Sequence, residues 1–262
     1  MLKLIVLFIF SAVAADPLRN NLLLKQNARI IGGQDAAIED FPYQVNFLRN
    51  GFNRCGGAII AKNWVLTTAS CPVEYGMIVH AGSNFTNAGG SYHTVARVIK
   101  HEAFEVNVNQ IPSNNIALVE VYQPFVFDKT RQPIPLFNVN EEIEAGTIAT
   151  VAGWGQIYSV LPGLYSYNLK SVSVPIVPND KCSELYNEFG GIPQGQLCAG
   201  YLEGGKNVCV GDGGSPLVVN GRVAGLVSWG KGCAQPNYPG TYTSIAAYRS
   251  WVDEKLQANS EN

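Results

Sequence analysis

The side chains able to do nucleophilic or metal chemistry are few and widely spaced. Three histidines (His80, His93 and His101) and six cysteines (Cys55, Cys71, Cys182, Cys198, Cys209 and Cys233) are the groups to consider in a chain of 262 residues. No histidine stands in a C-x-x-C or H-x-x-x-H spacing, so zinc is not expected, and no other metal or cofactor is called for. In an oxidising compartment cysteines of this number form disulfides, but spacing alone leaves their pairing open. Asn84-Phe85-Thr86 is the one N-x-S/T sequon. In a secreted loop Asn84 is a candidate glycan acceptor, the alternative being an unmodified turn residue.

The elements that hold these groups follow from composition and pattern. With 47% apolar and 15% charged residues, the chain can bury a full core, which excludes disorder. A formal charge of −2 is too balanced for a phosphate-binding surface, so nucleic acid is excluded as a partner. Scattered glycines and prolines, with amphipathic stretches absent from most of the chain, point to an all-β fold of short strands. Strand-length apolar runs lie at Ala58 to Ile60, Val65 to Thr68, Ile148 to Ala152, Val172 to Val177 and Leu217 to Val219. No internal repeat is visible. Near the end, Ile245, Tyr248, Val252 and Leu256 recur at three and four after Thr243-Ser244, which predicts one C-terminal helix with a hydroxyl cap.

The first fifteen residues read as a secretory leader: Lys3, an apolar run from Leu4 to Phe10, then Ala12-Val13-Ala14-Ala15. That run is too short to cross a bilayer, and no later segment competes, so no membrane association is expected. Residues 16–29 are polar and end in Arg29 before Ile30-Ile31-Gly32-Gly33. On these residues alone the segment is either a propeptide cut after Arg29 or an ordinary tail. Removing residues 1–29 takes Lys3, Arg19, Lys25, Arg29 and Asp16, leaving a chain of net charge −5.

Separated motifs then converge. IIGG at 30–33, FPYQV at 41–45, CGGAIIAKNWVLTTASC at 55–71, NNIALVEV at 114–121, VAGWG at 151–155, CVGDGGSP at 209–216 and VSWGKGCAQPNYPGTY at 227–242 occur in this order. The chain from residue 30 onward resembles trypsin-like serine proteases. The resemblance implies two six-stranded antiparallel Greek-key barrels with the C-terminal helix, over a domain of residues 30–262 behind a 1–15 leader and a 16–29 propeptide. It selects the disulfides Cys55–Cys71, Cys182–Cys198 and Cys209–Cys233. It also implies that Asp212 pairs with the amino terminus freed at Ile30, the alternative being a buried Asp paired elsewhere.

Such enzymes need a nucleophilic Ser, a His to take its proton and a buried Asp to orient the imidazole. At the matching positions this chain has Gly213, Ser70 and Asn115. Ser215, two residues downstream, has no His at 70 to activate it, and His101 matches a surface stretch. What remains is a vestigial oxyanion hole from the amides of Gly211 and Gly213, which polarises a carbonyl but supplies no attacking group. The specificity-pocket positions are Asn207 at the floor, then Val208, Ser228, Trp229, Gly230, Gly232 and Gly240. Without an anionic floor no preference for Arg or Lys is expected, and the cleft is expected to be vestigial and filled by side chains. Tyr75 to His101 contains no Asp or Glu, so no calcium is expected there.

The chain resembles, in particular, the inactivated serine-protease paralogues of parasitic mites, through Lys181-Cys182-Ser183-Glu184-Leu185-Tyr186 and the joint triad replacement. That resemblance implies a secreted, monomeric pseudoprotease, found in the gut lumen, which binds host complement components and damps host defence. The competing expectations are a peptidase using non-standard residues and a digestive or storage protein without a specific partner.

Overall fold

The computed structural model describes residues 31–157 and 164–259. The leader, the linker, Arg29 and Ile30 lie outside the described residues. Six strands, β1 (Gln44–Arg49), β2 (Phe52–Ala61), β3 (Trp64–Thr67), β4 (Ile78–Ala81), β5 (Ser91–Lys100) and β6 (Ala117–Val121), close into a barrel in the order β1-β2-β3-β6-β5-β4. A further six, β7 (Ile148–Gly153), β8 (Lys170–Val177), β9 (Gln196–Ala199), β10 (Pro216–Val219), β11 (Arg222–Trp229) and β12 (Gly240–Ser244), close in the order β7-β8-β9-β12-β11-β10. Every pairing is antiparallel, so the all-β reading and the two six-stranded barrels hold.

The two orders are the same permutation, a structural repeat that the sequence does not display. The pairing pattern needs only apolar residues facing inward and turns at the right intervals, and many unrelated sequences satisfy both. Two of the turns are Asn-Gly pairs. Asn50-Gly51 and Asn220-Gly221 take positive φ at both residues and close the β1–β2 and β10–β11 hairpins, the conformation that Asn-Gly adopts with least strain.

Val45, Phe47, Ile59, Val65, Val79 and Val119 fill the first barrel. A larger core crosses the seam, where Leu66 and Leu118 of the first barrel meet Val151, Leu217, Leu226 and Tyr242 of the second. Besides a short helix α1 (Asn179–Leu185), the chain ends in α2 (Ile245–Ala258), whose start is capped by Ser244 Oγ accepting from Ala247 N–H. Ile245 and Val252 carry its buried face. The disulfides are Cys55–Cys71, Cys182–Cys198 and Cys209–Cys233, with sequence separations of 16, 16 and 24. Bridges of that span stabilise by about 3 kcal/mol each.

Candidate functional site

Where the barrels meet, a cavity of about 400 Å³ opens to solvent. Arg54, Cys55, Ser70 and Pro72 line it from the first barrel; Val208 to Gly211, Gly213, Val227 to Gly230, Gly232, Cys233 and Gly240 line it from the second. The expectation of a side-chain-filled cleft is therefore corrected. Three of the walls are glycines, Gly230, Gly232 and Gly240, which have no side chain to fill the space, and the Cys209–Cys233 bridge ties opposite loops across one side.

The structure brings the three triad positions together. Ser70 lines the cavity, and its backbone N–H donates to Asn115 Oδ1 at 2.8 Å. Asn115, 1% exposed, donates from Nδ2 to Ser228 Oγ at 2.9 Å, while its own carbonyl accepts from Thr243 Oγ1. Ser228 can meet it because the β11–β12 register shifts between Val227 and Trp229, a bulge that turns Ser228 into the cleft. On the third position, a side chain begun at Gly213 would meet nothing nearer than Cys55 Sγ, at 4.0 Å, so this glycine is not imposed by crowding. The site thus holds a hydroxyl, a neutral carboxamide and a bare backbone.

No imidazole lines the cavity. His101 is half-buried against Tyr248 and Trp251, accepting from Ala103 N–H at Nδ1. His80 and His93 are buried in the first barrel, their rings against the carbonyls of Thr86, Gly89 and Gln123 and the hydroxyl of Ser91. Burial pushes both of their pKa values below the ordinary range.

Ser215 is fully buried and faces the seam, where its Oγ accepts from Gln44 Nε2 at 3.1 Å. Gly56 must be a glycine here, since a Cβ would collide with that hydroxyl. The Ser215 hydroxyl is therefore a bridge between barrels, with no route to a bound peptide. Gln44 belongs to the FPYQV motif, but nothing in the sequence signalled its partner, because the two are 171 positions apart. Ser215→Ala should cost about 1–3 kcal/mol, the penalty for leaving a buried amide donor unpaired. Denaturant unfolding of the purified variant measures it, and an unchanged midpoint would mean that the bridge contributes nothing.

Of the pocket positions, Val208, Ser228, Trp229, Gly230, Gly232 and Gly240 line the cavity, whereas Asn207 does not. Asn207 is buried, its Oδ1 accepting from Val208 N–H at 2.8 Å and lying directly behind Gly240, where it is the first atom that a side chain begun at that glycine would meet. Trp229 is held from behind by its Nε1 donating to Gln196 Oε1 at 2.7 Å, and Gln196 Nε2 donates in turn to the Pro112 carbonyl. Arg54 is a cavity residue that the motifs did not single out.

Asp212 is fully buried behind the cleft, with Oδ1 accepting from Gly155 N–H at 2.8 Å and Oδ2 from Cys209 N–H at 3.1 Å. Burial pushes its carboxyl up to about 7, against the pull of those two amides. Its expected partner Ile30, and Arg29, lie outside the described residues. The next residue, Ile31, accepts from Asn207 N–H at its carbonyl, so the described chain begins beside the segment leading to Asp212.

Among the described residues no group of three or more His, Cys, Asp or Glu could hold a metal, and no helix is long and apolar enough to cross a membrane. Asn84 is exposed; its Oδ1 accepts from Ile38 N–H, and its Nδ2 has no partner among the described residues.

The family model for trypsin matches residues 30–252. The vitellin-degrading protease of Bombyx mori is 38% identical over 231 residues, covering 87% of this chain and 86% of its own. A trypsin of Phaedon cochleariae is 37% identical over 238 residues, covering 88% and 90%. Trypsin I-P38 of Gallus gallus is 34% identical over 261 residues, covering 98% and 100%. With two closed antiparallel barrels, a cleft at their seam and this likeness along nearly its whole length, the chain belongs to the trypsin family.

Proposed function

We propose that this chain is a secreted, catalytically silent member of the trypsin family that acts by binding another protein. The observation that carries this reading is the meeting of Ser70, Asn115 and Gly213 at one cleft. No group there accepts a proton near neutral pH, and no hydroxyl stands at position 213 to attack a carbonyl. Removing the nucleophile or base of such a site alone lowers turnover by on the order of 10⁶-fold. The retained disulfides, the buried Asp212 and the open cleft favour a protein kept for binding over one drifting out of its fold.

The partner we propose is a host complement component. Support for it comes from the resemblance of the 181–186 stretch and the joint triad replacement to inactivated mite paralogues. The runner-up is an active peptidase, favoured by the relatives' names, vitellin-degrading protease and trypsin. Processed protein, cut after Arg29, decides between them when it is incubated with a broad peptide library and titrated into serum. Intact peptides with dose-dependent loss of complement activation are the expected result. Cleavage above buffer would overturn the silent-site reading, and unaltered serum would remove the complement partner.

A further inference from the structure

We propose that the cleft is a receptor for the free carboxyl terminus of a peptide, a reading that rests on the silent site described above. The first support is a pair of backbone donors. Gly211 and Gly213 flank Asp212 at the cavity, and neither N–H has an acceptor among the described residues. Their carbonyls are tied elsewhere, Gly211's to Asn53 Nδ2 at 3.1 Å and Gly213's to Gly56 N–H at 2.8 Å. The turn passes from positive φ at Gly211 (95°) to positive φ at Gly214 (81°), with Asp212 and Gly213 between them outside the left-handed region. Backbone of such alternating hand gathers N–H groups into a concavity that binds anions.

Charge points the same way. Arg54 is exposed, lines the cavity and has no ion pair or hydrogen bond among the described residues. Among the described residues no Asp or Glu lines it. Asn115 is neutral, and both oxygens of Asp212 are spent on backbone amides behind the turn. A carboxylate entering the cleft therefore meets two amide donors and one guanidinium without an opposing anion, and charge-assisted bonds of this kind are about twice as strong as neutral ones.

The rest of the cavity says which carboxylate. Val208, Val227, Trp229 and the Cys209–Cys233 bridge give it apolar walls. A terminal carboxylate shares its Cα with a side chain that can occupy those walls, whereas an Asp or Glu carboxylate is itself the end of its side chain and leaves them unfilled. The occupant is thus a peptide ending in an apolar residue with its carboxyl group free.

Fluorescence anisotropy with processed protein tests this, using labelled hexapeptides ending in Leu or Phe, each as free acid and as amide. The free acid should bind about tenfold more tightly. Arg54→Gln should remove most of that difference without changing amide binding, and the acid's affinity should fall as salt rises from 50 to 200 mM. Equal binding of acid and amide, or an unaffected R54Q, would overturn the inference. A peptide amide carrying Glu at its last position separates the two carboxylate sources: if it matches the free acid, the terminal assignment is wrong. Mass spectra of the recovered peptides keep the two proposals apart. Shortened peptides overturn the silent-site reading, while intact peptides without acid preference overturn this inference alone.

Discussion

Placing His at 70, Asp at 115 and Ser at 213 together in the processed chain should create a peptidase. The geometry is already laid out for the three groups. Asn115 Oδ1 sits 2.8 Å from the backbone nitrogen of residue 70 and is anchored through Nδ2 to Ser228, so an Asp carboxylate placed there starts beside residue 70. Gly213 has room for a hydroxymethyl group, and its φ is not in the left-handed region. The amides of Gly211 and Gly213 line the same cavity, ready for a developing oxyanion. Because the triad acts as a unit, each single reversion should stay at background, and the triple variant should recover most of a factor of about 10⁶. With a neutral Asn207 behind Gly240 and apolar walls, the recovered activity should favour apolar side chains over Arg or Lys. Ester and peptide hydrolysis with active-site titration measures it. A triple variant that folds to the wild-type melting temperature yet stays inert would show that more than these three groups has been lost.

The second large effect concerns Asp212 and processing. In the fold this carboxyl is pushed up to about 7 from its ordinary 3.8 by burial. Below the ordinary value both folded and unfolded chains are protonated, and the group has no influence. Between that value and about 7 the unfolded chain has released its proton while the folded chain keeps it. Stability must therefore fall as pH rises through this window, by up to about 4 kcal/mol, and stay low above it. That decline belongs to the chain still joined at Arg29–Ile30. Cutting there frees an ammonium group that we propose pairs with Asp212, holds the carboxylate ionised and abolishes the decline.

His80 and His93 act with the opposite sign. Burial lowers their pKa values, so the fold gains stability as pH rises through them. They do so in both forms of the protein, which makes the difference between cut and uncut chains the quantity to read. Denaturant unfolding of both forms from pH 4 to pH 8 provides it. Superimposable profiles would contradict the pairing.

Much of the scaffold is legible in the residues themselves. Apolar β-branched runs mark five of the strands, and Ser244 before a three-four periodicity marks the C-terminal helix, because each signal is local and backbone chemistry fixes its outcome. The cleft was harder. Its openness depends on Gly230, Gly232 and Gly240 converging on one space, a matter of long-range packing that no local pattern records. The Gln44–Ser215 bridge and the role of Gln196 behind Trp229 join residues far apart in the chain, with no pattern in either neighbourhood to announce them. Ser215 illustrates the gap best: the sequence leaves it without a His to activate it, but only its burial at the seam shows it to be a bridge between barrels. The short helix α1 leaves no sequence signal because its seven residues, Asn179–Leu185, span too little chain to show a period.

The central claim, that nothing in this cleft can launch an attack on a carbonyl, is tested most directly by a serine-directed organophosphonate. Processed protein incubated with excess reagent and weighed by intact mass spectrometry should show no adduct, while trypsin treated alongside gains one. A stoichiometric adduct mapped to any serine at the barrel seam would contradict the account.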